Sequence, residues 1–120
     1  MKKMILYLLI LLLMGCTQSQ LSPTDTAKIV VESFYKNDNS KLKKHTTAES
    51  YASFMSIQAT IAPGTDDNSN FKLIEETVKE DTAWVKFSTS YDNKSETFKL
   101  IKVDGKWLVT EKQMNEKTPF

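Results

Sequence analysis

The amino-acid sequence predicts an α+β domain in which three helices are followed by four antiparallel strands. Apolar residues recur at helical spacing up to about Ala62, and after Phe71 they alternate with polar residues. A loop rich in proline, glycine, aspartate and asparagine, residues 63–70, separates the two patterns. Because the helices come first and the strands follow, we expect the helices to pack on one face of the sheet.

The composition limits the chain to one ordinary globular domain. Its 120 residues are 40% hydrophobic and 26% charged, and the formal net charge is +1. All of the basic residues are lysines. Arginine is the usual residue for bidentate contacts with phosphate and guanine, so a nucleic-acid partner is disfavoured.

The first helix has a clear start. Ser22 supplies a capping hydroxyl, Pro23 takes the first helical position, and Asp25 follows three residues after the cap. Four residues at helical spacing form its apolar face: Ala27, Val30, Val31 and Phe34. The polar residues 37–39 end this helix.

Two further helices are predicted before the loop. Ser40–His45 forms one or two turns with Leu42 as its aliphatic residue, and Thr46 with Glu49 matches a capping box for a third helix that ends near Ala62. The apolar positions of the third helix are Tyr51, Phe54, Met55 and Ile61.

Four strands follow. The first is predicted over Phe71–Lys79 and the third over Ser95–Val103. The second has an alternating apolar set, Ala83, Val85, Phe87 and Tyr91. Asp104 and Gly105 form the strongest turn signal in the chain, and this two-residue hairpin leads into a fourth strand over Lys106–Glu111.

The N-terminal segment, residues 1–15, has the pattern of an export signal. Lys2 and Lys3 precede an uninterrupted apolar run from Met4 to Met14. As a helix this run would extend about 16 Å, whereas the hydrocarbon core of a bilayer is roughly 30 Å thick. The segment is therefore predicted to be a signal peptide and not a permanent span.

The sequence Leu13-Met14-Gly15-Cys16 resembles the lipobox of bacterial lipoproteins. The resemblance implies that the signal is removed and that Cys16 is acylated, with two or three chains anchoring the protein to a membrane. Residues 16–21 then form a short tether. An ordinary secreted protein with a stray cysteine is the alternative. Thr17, and not an aspartate, follows the cysteine, which by resemblance to Gram-negative lipoproteins implies sorting to the outer membrane, facing the periplasm. In a Gram-positive cell the protein would lie on the outer face of the cell membrane.

The globular part is predicted over residues 22–113, with a C-terminal tail over 114–120. Its motifs resemble the superfamily of nuclear transport factor 2 and scytalone dehydratase, in particular its small lipoproteins of unknown function. The matching segments are Ser22-Pro23, residues 34–38, residues 81–85 and residues 100–107. The resemblance implies a curved sheet wrapped against the helices in a cone, with a pocket in the mouth. Relatives include enzymes, transport adaptors and binding modules, so the fold does not determine the function.

No catalytic residue, metal site or cofactor is predicted. Enzymes of that superfamily place an aspartate and a histidine inside the cone. The only histidine here, His45, ends a lysine-rich short helix and is expected to be a solvated cap. Asp66 and Asp67 lie in a polar loop that lacks the other ligands of a calcium loop.

Trp84 and Trp107 are the candidate ligand- or partner-binding residues. Trp84 has the opposite parity to Ala83 and Val85, so it is expected to be exposed on the outer face of the sheet. Exposed aromatic residues can anchor a protein partner. Core or edge packing is the alternative for both tryptophans. Likewise, the lysines at 41, 43 and 44 either contact anionic headgroups or form a solvated face.

These observations predict a membrane-anchored lipoprotein of the bacterial envelope whose domain binds a small ligand or a protein. One alternative is a protective immunity or exclusion lipoprotein that captures a partner on the outer sheet. A less favoured alternative is an enzyme that acts on a small molecule in the cone, with His45 as its base.

Overall fold

A computed structural model describes residues 20–120. The predicted signal peptide, the acylated Cys16 and most of the tether lie outside the described residues. Three helices come first: α1 (Pro23–Tyr35), α2 (Asn39–Lys44) and α3 (Ala48–Ile61). Four strands follow: β1 (Lys72–Lys79), β2 (Thr82–Thr89), β3 (Asp92–Val103) and β4 (Lys106–Thr110). The sheet is antiparallel in the order β1-β2-β3-β4, so the predicted α+β class is confirmed.

Helix α1 begins with the predicted capping box. The amide of Asp25 donates to the Ser22 hydroxyl at 3.0 Å, and the Ser22 amide donates to the Asp25 carboxylate at 3.3 Å. The helix ends before Asn37, whose φ of 59° is the left-handed conformation that asparagine tolerates. The predicted apolar face, Ala27, Val30, Val31 and Phe34, is buried. In the described part of the chain, no helix is both long and apolar enough to span a bilayer.

The cap of α3 lies one residue later than predicted. Thr47, not Thr46, accepts a hydrogen bond from the Ser50 amide. Thr46 is buried, and its hydroxyl donates to the Leu42 carbonyl at 2.8 Å. The backbone around Thr46 also pairs with Val109 on β4, which covers part of that edge of the sheet. Because Thr46 is engaged with Leu42 and β4, the helix is capped by Thr47 instead of Thr46.

The hairpin between β2 and β3 also differs from the prediction. Strand β2 ends at Thr89, and Tyr91 lies in the turn instead of on the strand. The Tyr91 hydroxyl donates to the Asp67 carbonyl at 2.9 Å, and its ring stacks on Tyr35 with centroids 4.4 Å apart. Strand β3 consequently begins at Asp92, earlier than expected.

The core lies between the helices and one face of the sheet. Strand β2 contributes Ala83, Val85 and Phe87, all fully buried. Register shifts occur in β1 between Leu73 and Glu75, and in the β2–β3 pair near the hairpin; such bulges bend a sheet.

Candidate functional site

A groove of about 450 Å³ runs between α3 and the ends of β3 and β4. It exists because β4 pairs with β3 only from Lys99 onward, whereas β3 continues back to Asp92. The side of β3 before Lys99 therefore has no β4 partner, and α3 forms the opposite wall. Ser53 on α3 donates to the Glu111 carboxylate just beyond β4 and joins the two walls.

The groove continues into a small cavity of about 60 Å³ beneath α3. Phe54, Ile57 and Phe98 line both spaces. The ring of Phe54 lies 5.1 Å from that of Phe34 and 6.0 Å from that of Phe98. We call groove and cavity together the cone cleft. Its inner part has an aromatic and aliphatic wall, as small-molecule sites usually do, whereas the outer groove is also lined by polar and charged residues.

Glu96 is the one carboxylate among the residues that line the small cavity. It lies on β3 opposite Phe87 and shares the inner face with Phe98. Burial chiefly, and the nearby Asp92 carboxylate in addition, raise the pKa of Glu96 above its ordinary value of 4.5.

Tyr35 lines the same cavity and is half-buried beside Glu96. Burial is the main cause that raises the pKa of its phenol, followed by Glu96 and Asp92. The phenol therefore stays protonated at neutral pH and can donate a hydrogen bond. The inner end of the cleft thus offers a carboxyl group and a phenol within an apolar wall.

Neither predicted tryptophan lines the cone cleft. Trp84 points to the face opposite the core, but only 9% of it is exposed, so the expectation of an exposed aromatic was wrong. The Lys99 ammonium lies 5.8 Å above its ring. Trp107 is also 9% exposed and belongs to the core, with Lys102 placed 5.6 Å over its ring.

The expectation for His45 holds in part: the residue is the C-terminal cap of α2, but it is half-buried and not fully solvated. Its Nδ1 atom is buried and has no hydrogen-bond partner among residues 20–120. Burial chiefly, and then the charges of Lys106, Lys41 and Lys44, lower the pKa of the imidazole below 6.5. No carboxylate contributes to that shift, and His45 does not line the cone cleft.

Glu96 is the site residue that the sequence analysis missed. The alternation of side chains along a strand could have identified it, because Glu96 shares one face of β3 with the apolar residues Phe98 and Leu100. A charged residue in that series indicates an inward-facing carboxylate. Within residues 20–120, no group of three histidine, cysteine, aspartate or glutamate side chains is placed to hold a metal ion.

No protein-family model and no curated protein matches this sequence. Among solved structures, the chain is similar to a protein from Campylobacter jejuni that is described as a candidate NTF2-like transpeptidase. The two share 22% sequence identity with a TM-score of 0.61, over 77% of this chain and 100% of the other. At this identity the likeness shows the fold, which is that of nuclear transport factor 2-like (NTF2-like) proteins.

Proposed function

We propose that this chain is a lipid-anchored lipoprotein of the bacterial envelope whose NTF2-like domain binds a small amphiphilic molecule in the cone cleft. The anchoring part is supported by the resemblance of Leu13-Met14-Gly15-Cys16 to a lipobox. The binding part is supported chiefly by one observation: Glu96 is held in an apolar cavity that opens into a groove of about 450 Å³. That volume lies in the usual range for small-molecule sites.

The lining defines the class of ligand. The walls formed by Phe54, Ile57 and Phe98 favour an aliphatic or aromatic body. At the inner end, Glu96 and Tyr35 favour a polar group that exchanges hydrogen bonds with a carboxyl and a phenol. An amphiphile with one small polar end satisfies both requirements.

The two alternatives have less support. A partner captured through Trp84 would need that side chain accessible, and it is 9% exposed. An enzyme with His45 as base would need the imidazole in the cleft, and it lies elsewhere. The activity named for the Campylobacter protein is not carried over, because the likeness extends to the fold alone.

The binding part is tested by filling the groove. Ile57 is 46% exposed at the groove, and Ile74 is 51% exposed on β1, away from it. We expect Ile57→Trp to weaken binding of the apolar probe anilinonaphthalene sulfonate by about tenfold or more, which corresponds to about 1.4 kcal/mol. The matched Ile74→Trp variant should bind like the original protein. If the original protein and both variants bind the probe equally, or if none of the three binds it, a ligand site in the cone cleft is contradicted.

A further inference from the structure

The described chain begins beside the β3–β4 hairpin. Nε2 of Gln20 lies 3.6 Å from the position that a Cβ atom on Gly105 would take. Gln20 and Leu21 also line one depression with Lys106 and Trp107. Cys16 precedes Gln20 by four residues, a separation of at most about 14 Å for extended chain. A lipid on Cys16 would therefore hold this end of the domain close to the bilayer.

Lysines from two elements meet at this end. Nζ of Lys106, in the hairpin, donates to the carbonyl of Lys44 on α2 at 2.9 Å. Lys41 lies on the same short helix, and the charges of all three lysines act on His45. Two acids offset part of this charge: Asp38 lies 3.8 Å from Lys41, and Asp104 precedes the hairpin glycine. Among these five side chains the lysines outnumber the acids by three to two.

Exposed aliphatic residues flank these lysines. Leu21 is 41% exposed and Val103 is 42% exposed, whereas the neighbouring Trp107 is buried. We call Leu21, Lys41, Lys44, Val103 and Lys106 the anchor-side surface. Lysines with apolar neighbours suit a membrane interface, where the ammonium groups reach phosphates and the aliphatic groups enter the boundary with the acyl chains.

We propose that the anchor-side surface rests on the anionic phospholipid headgroups of the leaflet that holds the Cys16 lipid. This inference depends on the proposed anchoring. The lipid supplies the attachment, and the few lysines need only orient a domain that is already at the membrane. Strand β4 runs from Lys106 to Thr110, which lines the cone cleft, so this orientation turns the cleft away from the bilayer.

The test uses the mature lipidated protein on two kinds of vesicle, phosphatidylcholine alone and phosphatidylcholine with about one-third phosphatidylglycerol. Hydrogen exchange is measured over residues 102–107. We expect exchange to be about threefold slower or more on the anionic vesicles, and the difference to disappear at about 0.5 M salt because the headgroup charge is screened. Equal exchange on both vesicles overturns the inference.

Variants separate the lysines from general charge. The double variant with Lys44→Gln and Lys106→Gln should lose the protection, whereas a control with Lys72→Gln and Lys94→Gln, both at the opposite end of the sheet, should keep it. Loss of the protection in both double variants overturns the inference. If the Lys44→Gln, Lys106→Gln variant is unstable, the salt dependence of exchange in the original protein is the deciding measurement. If the protein fails to float with phosphatidylcholine vesicles, the anchoring part of the proposed function is contradicted, and this inference with it. If the protein floats but exchanges equally on the two kinds of vesicle, only the proposed contact of the anchor-side surface with headgroups is contradicted.

Discussion

The Lys99 ammonium donates hydrogen bonds to both carboxylate oxygens of Glu116, each at 2.8 Å. The same ammonium lies over Trp84, so the predicted C-terminal tail, residues 114–120, is tied to the outer face of the sheet. Both partners are partly shielded, with 14% of the lysine side chain and 29% of the glutamate side chain exposed. This pair is consistent with the low exposure of Trp84.

Removing the carboxylate should uncover that indole. The bond from Lys99 is the main cause that lowers the pKa of Glu116, so the contact persists below the usual titration range of glutamate and is lost as the pH falls through the lowered pKa. We expect Glu116→Gln to increase acrylamide quenching of tryptophan fluorescence at neutral pH. Lys117→Gln, an exposed neighbour, is the control. Unchanged quenching in Glu116→Gln would show that the pair does not shield Trp84.

Trp84→Ala should act on folding, because the side chain is largely shielded from solvent. Large-to-small changes at buried aromatic residues cost about 3–5 kcal/mol in cores. We expect a loss of about 2–4 kcal/mol, since Trp84 lies outside the main core. Trp84→Phe should retain most of the stability. Urea unfolding measures the stability of both variants. If Trp84→Ala loses less than about 1 kcal/mol of unfolding free energy, Trp84 is an accessible residue and a candidate for binding a partner.

The lowered pKa of His45 predicts that the protein loses stability as the pH falls. The folded pKa is below 6.5, so the unfolded chain binds the proton more tightly. Stability is full above 6.5 and falls as the pH drops from 6.5 towards the folded pKa. Urea unfolding at pH about 7.5 and about 5.5 should show a decrease for the original protein and a smaller one for His45→Gln. Since the chain has one histidine, an equal decrease in both proteins would assign the effect to other groups.

Local signals predicted much of the fold. The cap at Ser22 and the turn at Asp104-Gly105 depend on neighbours within three residues, and both form as expected. Tyr91 and Thr46 were misplaced because distant partners determine their positions: Tyr35 for the first and β4 for the second.

The site was less accessible to sequence reasoning than the fold. Glu96 becomes a half-buried carboxyl because side chains of both α1 and α3 enclose the cavity beside that part of β3, and this packing is not encoded near residue 96. The low exposure of Trp84 likewise involves distant residues, because Lys99 lies over the indole and is held there by Glu116, about thirty residues further along the chain.

Cys16→Ser tests the lipobox, which lies outside the described residues. The proposed lipid would be attached through the cysteine sulfur, so the variant should incorporate no labelled fatty acid and should accumulate as uncut precursor or leave the membrane. Thr17→Ser, next to it, should be processed normally. Metabolic labelling followed by membrane fractionation gives the result, and label in the Cys16→Ser protein would show that Cys16 is not the acylated residue.

Glu96→Gln should make the protein more stable and weaken its site. The pKa of Glu96 is raised, so the folded state holds the proton more tightly than the unfolded chain. As the pH rises above 4.5 and through the folded pKa, ionised Glu96 destabilises the fold. The neutral amide removes this cost, and we expect a gain of roughly 0.5–2 kcal/mol at neutral pH.

The gain should shrink as the pH falls towards 4.5, because Glu96 itself becomes neutral there. Glu75→Gln, on the exposed face of β1, is the matched control and should change little at either pH. Urea unfolding at the two pH values gives the stabilities. A gain confined to Glu96→Gln, together with weaker retention of any amphiphile that copurifies with the original protein, would mark a carboxylate kept for binding at the expense of stability. A destabilised Glu96→Gln would instead show that the ionised group supports the fold.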